Sequence, residues 1–277
     1  MPTELSVTVY VVDNNSTDNT KEVVQDFQKR SHLPLRYIHV LRRGKSAALN
    51  DAIPQTSAEL LGFIDDDEQI DSFWFEVAKR EFTGEASTEY IGGPYLPDWE
   101  HTPPDWLPEA YRGAIGVALR SPRAPFSRDF EGMLMGGNIV IRRETLLKVL
   151  PYPEQLGKIG NKIRGGEDEV IYHRLLAVGA KGMVVPDLII HHWISAERMT
   201  KKYYRRWVLG RGISVGMQIR ERGFRERGLL GIPRYYFGAL VHSIVPALLS
   251  TSEKPRLLAQ LRILDCVGTL YGRHFYH

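Results

Sequence analysis

Short apolar runs alternate with helical patterns through the first two-thirds of the chain, and this alternation limits the fold more than any other feature. The run Val7–Val12 is rich in β-branched residues and predicts a strand that ends at Asp13. The run Leu60–Ile64 is apolar throughout, which is typical of a buried strand in a parallel sheet. Between these runs lie helical patterns, including an Ala-rich stretch that stops before Pro54. The alternation predicts an α/β fold with a mostly parallel sheet flanked by helices.

The composition and the cysteine content exclude several classes of protein. Hydrophobic residues make up 43% of the 277 residues and charged residues 25%, as in an ordinary globular protein. The single cysteine, Cys266, excludes an intrachain disulfide framework and a cysteine-based zinc site, and it suits a reducing compartment. The opening residues lack the basic region of a signal peptide, so we expect a cytoplasmic location. No nucleic-acid recognition motif accompanies the basic and aromatic residues, so nucleic acid is not an expected partner.

Charge is distributed unevenly along the chain. From Glu197 to Arg234 there are 11 Lys or Arg against 3 Asp or Glu, although the formal net charge of the whole chain is only +3. We expect residues 1–195 to form the α/β domain and residues 196–277 to form a helical, basic C-terminal region. That region suits peripheral contact with the inner face of a cell membrane, and a solvated basic helix without a partner is the alternative. The apolar stretch Tyr235–Ser250 contains a histidine and a proline, so it predicts an interfacial or packed helix.

Three successive carboxylates, Asp65, Asp66 and Asp67, come directly after the apolar run Leu60–Ile64. They would repel one another unless a cation or a strong hydrogen-bond network lies among them. Ligands of open α/β sheets bind at the carboxyl ends of strands, and strand alternation can direct Asp65 and Asp67 to the same side. The pattern predicts a site for Mg²⁺ or Mn²⁺ that neutralises a diphosphate leaving group. The alternative is a solvated acidic turn that caps the following helix.

Three further groups of polar residues have both a functional and a structural interpretation. In the segment GGEDE, Asp168 could project into a cleft as a general base, or the acids could offset the dipole of the helix that begins there. Asp13 could accept a hydrogen bond from a nucleobase or cap the next helix. His191 and His192 follow a predicted strand, where either ring could complete a metal shell or serve a structural role.

Six segments occur along the chain in a characteristic order, namely VVDNNSTDNT, RGKSAALNDAI, FIDDDE, GGNIVIRRETL, GGEDEVIYHRLLAVG and HHWISAER. In this order and spacing they resemble glycosyltransferase family 2, whose members have the GT-A fold, a Rossmann-like architecture. The resemblance runs from about Val7 to about Gly212, which is three-quarters of the chain. It implies a GT-A-like domain followed by the helical appendage.

The resemblance also implies roles for individual residues. Glu167 and Asp168 match the family's acidic pair, with Asp168 as the expected catalytic base. Asp65 and Asp67 match the metal-binding positions, and His192 or His191 matches a histidine that closes the metal site. The nucleotide-sugar donor would be bound by residues from several segments, namely Asp13 at the nucleobase, Lys45, Asp65, Asp66, Gly137 and Asn138.

The chain departs from the family's pattern at its beginning. Family members open with an apolar strand and a helix before the strand that ends in VVD, whereas only about six residues precede that strand here. A start codon assigned too late, a true truncation and a degenerate paralogue are the three explanations. We expect the chain as given to have poor stability and weak donor binding, because the missing strand lies centrally in the family's sheet.

The reaction that the resemblance implies is metal-dependent transfer of a sugar from a nucleotide-diphosphate-sugar to a hydroxyl acceptor, with inversion at the anomeric carbon. The acceptor would be a growing glycan or a lipid-linked sugar in the synthesis of cell-surface or secreted polysaccharides. A non-catalytic remnant that binds a glycan or a partner enzyme is one alternative. A metal-dependent phosphoesterase is the other, because acid clusters at strand ends also serve that chemistry.

Overall fold

The computed structural model describes residues 6–83, 88–119, 121–130, 132, 134–157, 165–221 and 232–276. Their strands are β1 (Val9–Asp13), β2 (Leu35–His39), β3 (Leu60–Phe63), β4 (Glu68–Ile70), β5 (Tyr90–Gly92), β6 (Tyr95–Trp99), β7 (Ala124–Pro125), β8 (Ile139–Arg142), β9 (Gly182–Val184) and β10 (Ile190–Ile194). Their α-helices are α1 (Thr20–Arg30), α2 (Lys45–Ala52), α3 (Trp74–Thr83), α4 (Arg143–Leu147), α5 (Glu167–Ala177), α6 (Lys201–Glu221), α7 (Arg234–Leu249) and α8 (Glu253–His274).

The described residues divide into two compact units. The first contains those of Met1–Pro94, Arg120–Gly160 and Glu167–Ile190, and the second contains those of Tyr95–Leu119, Asn161–Gly166 and His191–His277. The segment Tyr95–Leu119 thus groups with the C-terminal helices. The domain boundary after residue 195 stays a prediction. Residues 1–5 of the N-terminus and residues 222–231 of the basic segment lie outside the described residues.

The first unit contains a five-stranded sheet in the order β3-β8-β5-β9-β7 and a separate parallel pair of β1 with β2. The larger sheet is mixed, because β5 pairs with β9 in parallel whereas its other pairs are antiparallel. The α/β class is therefore confirmed. The parallel pairing predicted for the run Leu60–Ile64 is wrong, since β3 pairs with β8 antiparallel, with Leu60 opposite Arg142. An apolar run reports burial, and the direction of its partner depends on chain topology.

The core of the first unit lies between the mixed sheet and the helices that cover it. Aromatic side chains pack at its centre, where the rings of Tyr90 and Phe126 stack with their centroids 5.4 Å apart. Helix α5 contributes Ile171 and Leu175, which are both buried. Truncating a buried leucine to alanine costs ~2–5 kcal/mol, so these contacts hold α5 firmly against the sheet. This packing fixes the position of the acidic residues at the start of α5.

The second unit is mainly helical. Helices α6 and α8 lie side by side and run in the same direction. Two contacts between them show this, since Arg205 donates a hydrogen bond to Gln260 (2.8 Å) and, further along both helices, Arg211 pairs with Asp265 (2.9 Å). Glycines line their contact, and a Cβ atom added to any of these glycines would overlap the backbone of the facing helix. They are Gly212 and Gly216 on α6, and Gly268 and Gly272 on α8. Close backbone approach of this kind requires residues without a side chain.

Two further predictions concern the second unit. The strand that was predicted to end at the two histidines lies further along the chain than expected. Strand β10 begins at Ile190 and contains both His191 and His192. A tight turn at residues 186–187 separates it from β9, and a continuous apolar pattern does not reveal such a turn. The apolar stretch predicted to be an interfacial or packed helix corresponds to α7. Among the residues described, none of the helices combines the length and the apolar character needed to cross a membrane.

Candidate active site

An ion pair between Lys45 and Asp65 lies at the centre of the acidic residues in the first unit. Gly44 has a φ angle of +113°, which side-chain-bearing residues rarely adopt, and α2 begins directly after it with Lys45. The Lys45 Nζ lies 2.5 Å from Oδ1 and 2.7 Å from Oδ2 of Asp65, which follows β3 closely. Two elements distant in sequence are thus joined at the carboxyl end of β3.

Glu68 is a further acid next to this pair, and the sequence did not single it out. Its Oε2 accepts a hydrogen bond from the backbone N–H of Asp65 at 2.8 Å. Burial raises the pKa of Glu68 to about 8, and the negative charge of Asp65 adds to the effect. A Cβ atom at Gly137 would overlap the Glu68 carboxylate, so this glycine allows the acid to pack closely. Asp67 also raises the pKa of Glu68, whereas the neighbouring Asp66 is exposed.

The first residues of α5 bring two more carboxylates to the same place. Asp168 Oδ2 accepts a hydrogen bond from the backbone N–H of Gly136 at 3.1 Å, and a Cβ atom at Gly136 would overlap the Asp168 carboxylate. Burial raises the pKa of Asp168, although the positive charge of Lys45 opposes this. Burial and the charge of Asp168 raise the pKa of Glu167 to about 7. The buried Oε2 of Glu167 has no hydrogen-bond partner among the described residues.

These carboxylates form one electrostatically connected cluster around Lys45. Burial lowers the pKa of Lys45, but the charges of Asp168, Asp65 and Glu167 outweigh it and raise the pKa above its usual value. The pKa of the buried Tyr152 is also raised, by burial and then by the charge of Asp168. The structure therefore brings together the predicted residues Lys45, Asp65, Glu167 and Asp168. Glu68 could have been found as the fourth acid of FIDDDE, whereas no sequence signal points to Tyr152.

Asp13 lies at the end of β1 and both of its carboxylate oxygens are engaged. Oδ1 accepts a hydrogen bond from the backbone N–H of Ser16 at 2.8 Å, and Oδ2 accepts one from the hydroxyl of Tyr37. Burial raises the pKa of Asp13, but these hydrogen bonds outweigh it and leave the pKa below its usual value. The hydrogen bond to Asp13 in turn raises the pKa of Tyr37 to about 12. Asp13 thus orders the loop after β1 and remains ionised.

The two residues predicted to border the donor sugar differ in their surroundings. Gly137 packs against Glu68, as described above, and so belongs to the acidic cluster. Asn138 is fully buried, and its Nδ2 donates hydrogen bonds to the carbonyl oxygens of Pro94 (3.1 Å) and Leu188 (2.7 Å). Its Oδ1 accepts a hydrogen bond from Trp74 Nε1 at 2.9 Å. Asn138 therefore anchors the backbone that leads into β8.

The two predicted histidine ligands lie in β10 of the second unit. His192 is buried, and its Nε2 is 2.8 Å from Nη1 of Arg198. Its ring also packs on Gly116, where an added Cβ atom would come within 2.6 Å of Cε1. His191 is partly exposed. A role for either ring in metal binding stays a prediction.

The acidic cluster has the chemistry of a divalent-cation site. No three His, Cys, Asp or Glu side chains among the described residues form a ready-made metal cage. Mg²⁺, however, is usually held by one or two carboxylates together with substrate phosphates. Several carboxylates surround a single lysine here, and burial and mutual repulsion raise the pKa values of Glu68 and Glu167. A bound cation would relieve this repulsion, so the donor atoms and the charge fit Mg²⁺ or Mn²⁺.

Comparison with known sequences gives the same family as the motifs. Residues 3–150 match the family model described as glycosyl transferase family 2. A glucosyl-dolichyl phosphate glucuronosyltransferase from Haloferax volcanii is 26% identical over 156 residues, which cover 56% of this chain and 48% of the relative. The glycosyltransferase AglE from the same organism is 27% identical over 53% of this chain and 46% of the relative. The chain thus spans about half the length of the curated relatives it matches.

Comparison with solved structures confirms the GT-A-like fold with its helical C-terminal region. The mannosyltransferase PcManGT from Pyrobaculum calidifontis, in complex with GDP-Man and Mn²⁺, superposes with a TM-score of 0.61 at 16% identity. The alignment covers 98% of this chain and 79% of that one. TarS 1-349 from S. aureus in complex with UDP gives a TM-score of 0.50 at 18% identity, over 96% and 81% of the two chains. At these identities the similarity concerns the fold alone.

Proposed function

Since the family model matches more than half of the chain, the chain belongs to glycosyltransferase family 2, and we propose that it transfers a sugar from a nucleotide-diphosphate-sugar to a hydroxyl acceptor. One observation carries the proposal. Asp168 is held by the N–H of Gly136 inside the cluster that contains the Lys45–Asp65 pair. The proposed base, Asp168, and the proposed donor-binding residues Lys45 and Asp65 therefore lie in one cluster.

Asp168 would act as the general base of the reaction. It accepts the proton of the acceptor hydroxyl while the oxygen attacks the anomeric carbon of the donor sugar. The bond from that carbon to the diphosphate oxygen breaks, and its electron pair leaves with the nucleoside diphosphate. One displacement of this kind inverts the anomeric configuration. The raised pKa of Asp168 makes the carboxylate a stronger base than an exposed aspartate.

The leaving diphosphate requires positive charge. Asp65 and Asp67 are the residues that would hold a divalent cation, which when bound would supply Lewis-acid stabilisation of the diphosphate oxygens. Lys45 would contribute a fixed positive charge beside Asp65. Asp13, with Tyr37 on its Oδ2, would receive the nucleobase at the end of β1.

The names and bound ligands of the relatives support the classes of donor and acceptor. Structural neighbours bind GDP-Man, UDP and UDP-GlcNAc, which are nucleoside diphosphates or sugars linked to them. One curated relative acts on a glucosyl-dolichyl phosphate, by its name a lipid-linked sugar. We therefore include a lipid-linked sugar or a growing cell-surface glycan as the acceptor, with the reaction at the cytoplasmic side of a membrane.

Donor turnover tests the proposal directly. The protein is incubated with GDP- and UDP-linked sugars and Mn²⁺ or Mg²⁺, and the nucleotide products are separated by chromatography. Release of nucleoside diphosphate supports sugar transfer, and chelation of the metal should abolish it. Release of nucleoside monophosphate or inorganic phosphate would instead identify a phosphoesterase. Donor binding without any product would identify a non-catalytic member of the family.

A further inference from the structure

Helix α7 presents an apolar face to solvent. From Tyr235 to Leu249 it contains no Asp, Glu, Lys or Arg. Leu248 and Leu249 are each 75% exposed, far more than leucines of a packed helix. We call the exposed apolar residues of this helix the α7 outer face, namely Tyr235, Val241, Ile244, Val245, Leu248 and Leu249.

The opposite side of α7 is the side that packs inside the second unit. Tyr236 and Ser243 are buried there, and Tyr236 forms a small core with Ile232 and Cys266. Among the residues that the structure describes, the outer face therefore takes little part in the packing of this unit. A helix that is apolar all round is normally buried in a large core or in lipid, and an exposed patch of this kind marks an interaction site.

Basic residues gather at the end of the bundle where the outer face is most exposed. The short turn at residues 250–252 joins the C-terminus of α7 to the first residue of α8, Glu253. Glu253 forms an ion pair with Lys201, the first residue of α6, so the end of α7 and the starts of α6 and α8 lie together. We call the exposed cations in the first two turns of α6 and α8 the basic end, namely Lys202, Arg205, Arg206, Lys254 and Arg256.

We propose that the α7 outer face and the basic end together dock on the surface of an anionic lipid bilayer. The apolar side chains would enter the boundary between headgroups and acyl chains, with α7 lying along the surface. The basic end would contact lipid phosphates, which attract juxtamembrane Lys and Arg. The exposed apolar side chains and the positive charge beside them thus match an anionic membrane surface.

A second copy of the chain is the competing occupant of this face. A symmetric dimer through the C-terminal half of α7 would bring the basic ends of both copies near each other. Like charges in apposition destabilise such an interface, whereas the same charges are favourable against anionic lipid. The charge distribution therefore favours lipid over self-association.

Flotation of the full chain with vesicles tests the proposal. Vesicles of phosphatidylcholine alone are compared with vesicles that also contain phosphatidylglycerol, without any sugar donor, so the result does not depend on catalysis. We expect binding to the anionic vesicles. The double variant L248S/L249S should weaken it about tenfold or more, because apolar area no longer enters the bilayer. The triple variant K202Q/R206Q/K254Q should weaken it roughly fivefold per charge removed at low salt.

A matched control lies in the first unit. Val23 and Phe27 on α1 are each 56% exposed, so the variant V23S/F27S removes exposed apolar area of a similar kind. Its vesicle binding should equal that of the parent chain. If L248S/L249S binds vesicles as well as V23S/F27S does, the proposal is wrong. A parent chain that dimerises, becomes monomeric in L248S/L249S and never floats would assign the face to a second copy instead.

Insertion of α7 can also be measured without removing apolar residues. Cys266 is the chain's single cysteine and is buried, so a cysteine introduced as L249C can be labelled selectively with an environment-sensitive dye. We expect a blue shift of its emission with anionic vesicles and quenching by brominated acyl chains. The same dye at F27C should report water in both conditions. Identical spectra at the two positions would overturn the proposal.

Discussion

The ammonium group of Lys45 lies 2.7 Å from Oδ2 of Asp65, and it thereby ties the start of α2 to the end of β3. The surrounding acids, Glu68, Glu167 and Asp168, come from other elements and all have raised pKa values. Lys45 therefore has two structural functions. It joins two elements, and it offsets part of the repulsion among the carboxylates.

Replacing Lys45 by methionine should destabilise the metal-free protein. The variant K45M leaves partly buried carboxylates without their cation, and we expect a loss of about 1–3 kcal/mol in the free energy of unfolding. Urea denaturation at slightly alkaline pH with a chelator measures it. K29M is the matched control, because Lys29 pairs with Asp26 at the surface, and it should change stability by less than about 0.5 kcal/mol. Equal stability of K45M and the parent chain would contradict the role assigned to Lys45.

Replacing Asp168 by asparagine should slow sugar transfer while leaving donor affinity unchanged. The amide keeps the shape of the side chain but cannot accept the acceptor's proton, so kcat should fall about 10²–10⁴-fold. Single-turnover kinetics and donor titration separate the two effects. E169Q is the control, since Glu169 lies one residue further along α5 and faces His173 at 3.6 Å. A D168N protein with the parent kcat would exclude Asp168 as the base.

Replacing Gly136 by alanine should misplace Asp168. The added Cβ atom would overlap the carboxylate that accepts the Gly136 N–H, so the base must move. Displacements of this size reduce catalytic efficiency about 10²-fold, and kcat/KM measures the loss. G165A is the control, because in the described part of the chain no atom outside its two sequence neighbours lies within 4 Å of a Cβ atom added at Gly165. If G136A and G165A have the same kcat/KM, the Gly136 contact has no catalytic consequence.

The stability of the metal-free protein should fall as the pH rises from 4.5 towards 8. Folding raises the pKa of Glu167 from 4.5 to about 7 and that of Glu68 from 4.5 to about 8. The folded chain therefore binds more protons than the unfolded chain in this interval, and its free energy of unfolding decreases with increasing pH. Urea midpoints across the interval, with a chelator present, measure the slope.

Two changes should flatten this pH dependence. The variants E167Q and E68Q each remove one acid whose pKa is raised by folding, and Mn²⁺ should restore stability most at the alkaline end, where the carboxylates are charged. A midpoint that rises with pH in the metal-free parent chain would show that these acids have ordinary pKa values in the folded state.

The fold class and the family could be predicted from the sequence because each depends on short local patterns in a fixed order. Asp65 follows a strand, and Asp168 lies in the first turn of a helix. In α/β folds, ligand-binding residues at such positions gather at the carboxyl ends of the strands. Sheet direction could not be predicted in this way, since the partner of β3 is β8, about 80 residues further along the chain. The individual catalytic, donor-binding and metal-binding roles stay predictions.

Asn138 shows what a local sequence pattern cannot reveal about the contacts of a residue. A polar residue after two glycines resembles a binding residue, yet its partners Trp74, Pro94 and Leu188 lie far away in sequence. Its burial is a property of the assembled sheet. Gly136, by contrast, was not predicted from the sequence, yet it contacts Asp168. That contact depends on long-range packing, which no motif specifies.

The glycine contact between α6 and α8 has a mechanical consequence. At Gly212, Gly216, Gly268 and Gly272 the two helices meet backbone to backbone, so no side chain of these four residues separates the helices there. A tilt of one helix at these points would press directly on the backbone of the other. We therefore expect the two helices to move together rather than independently of each other.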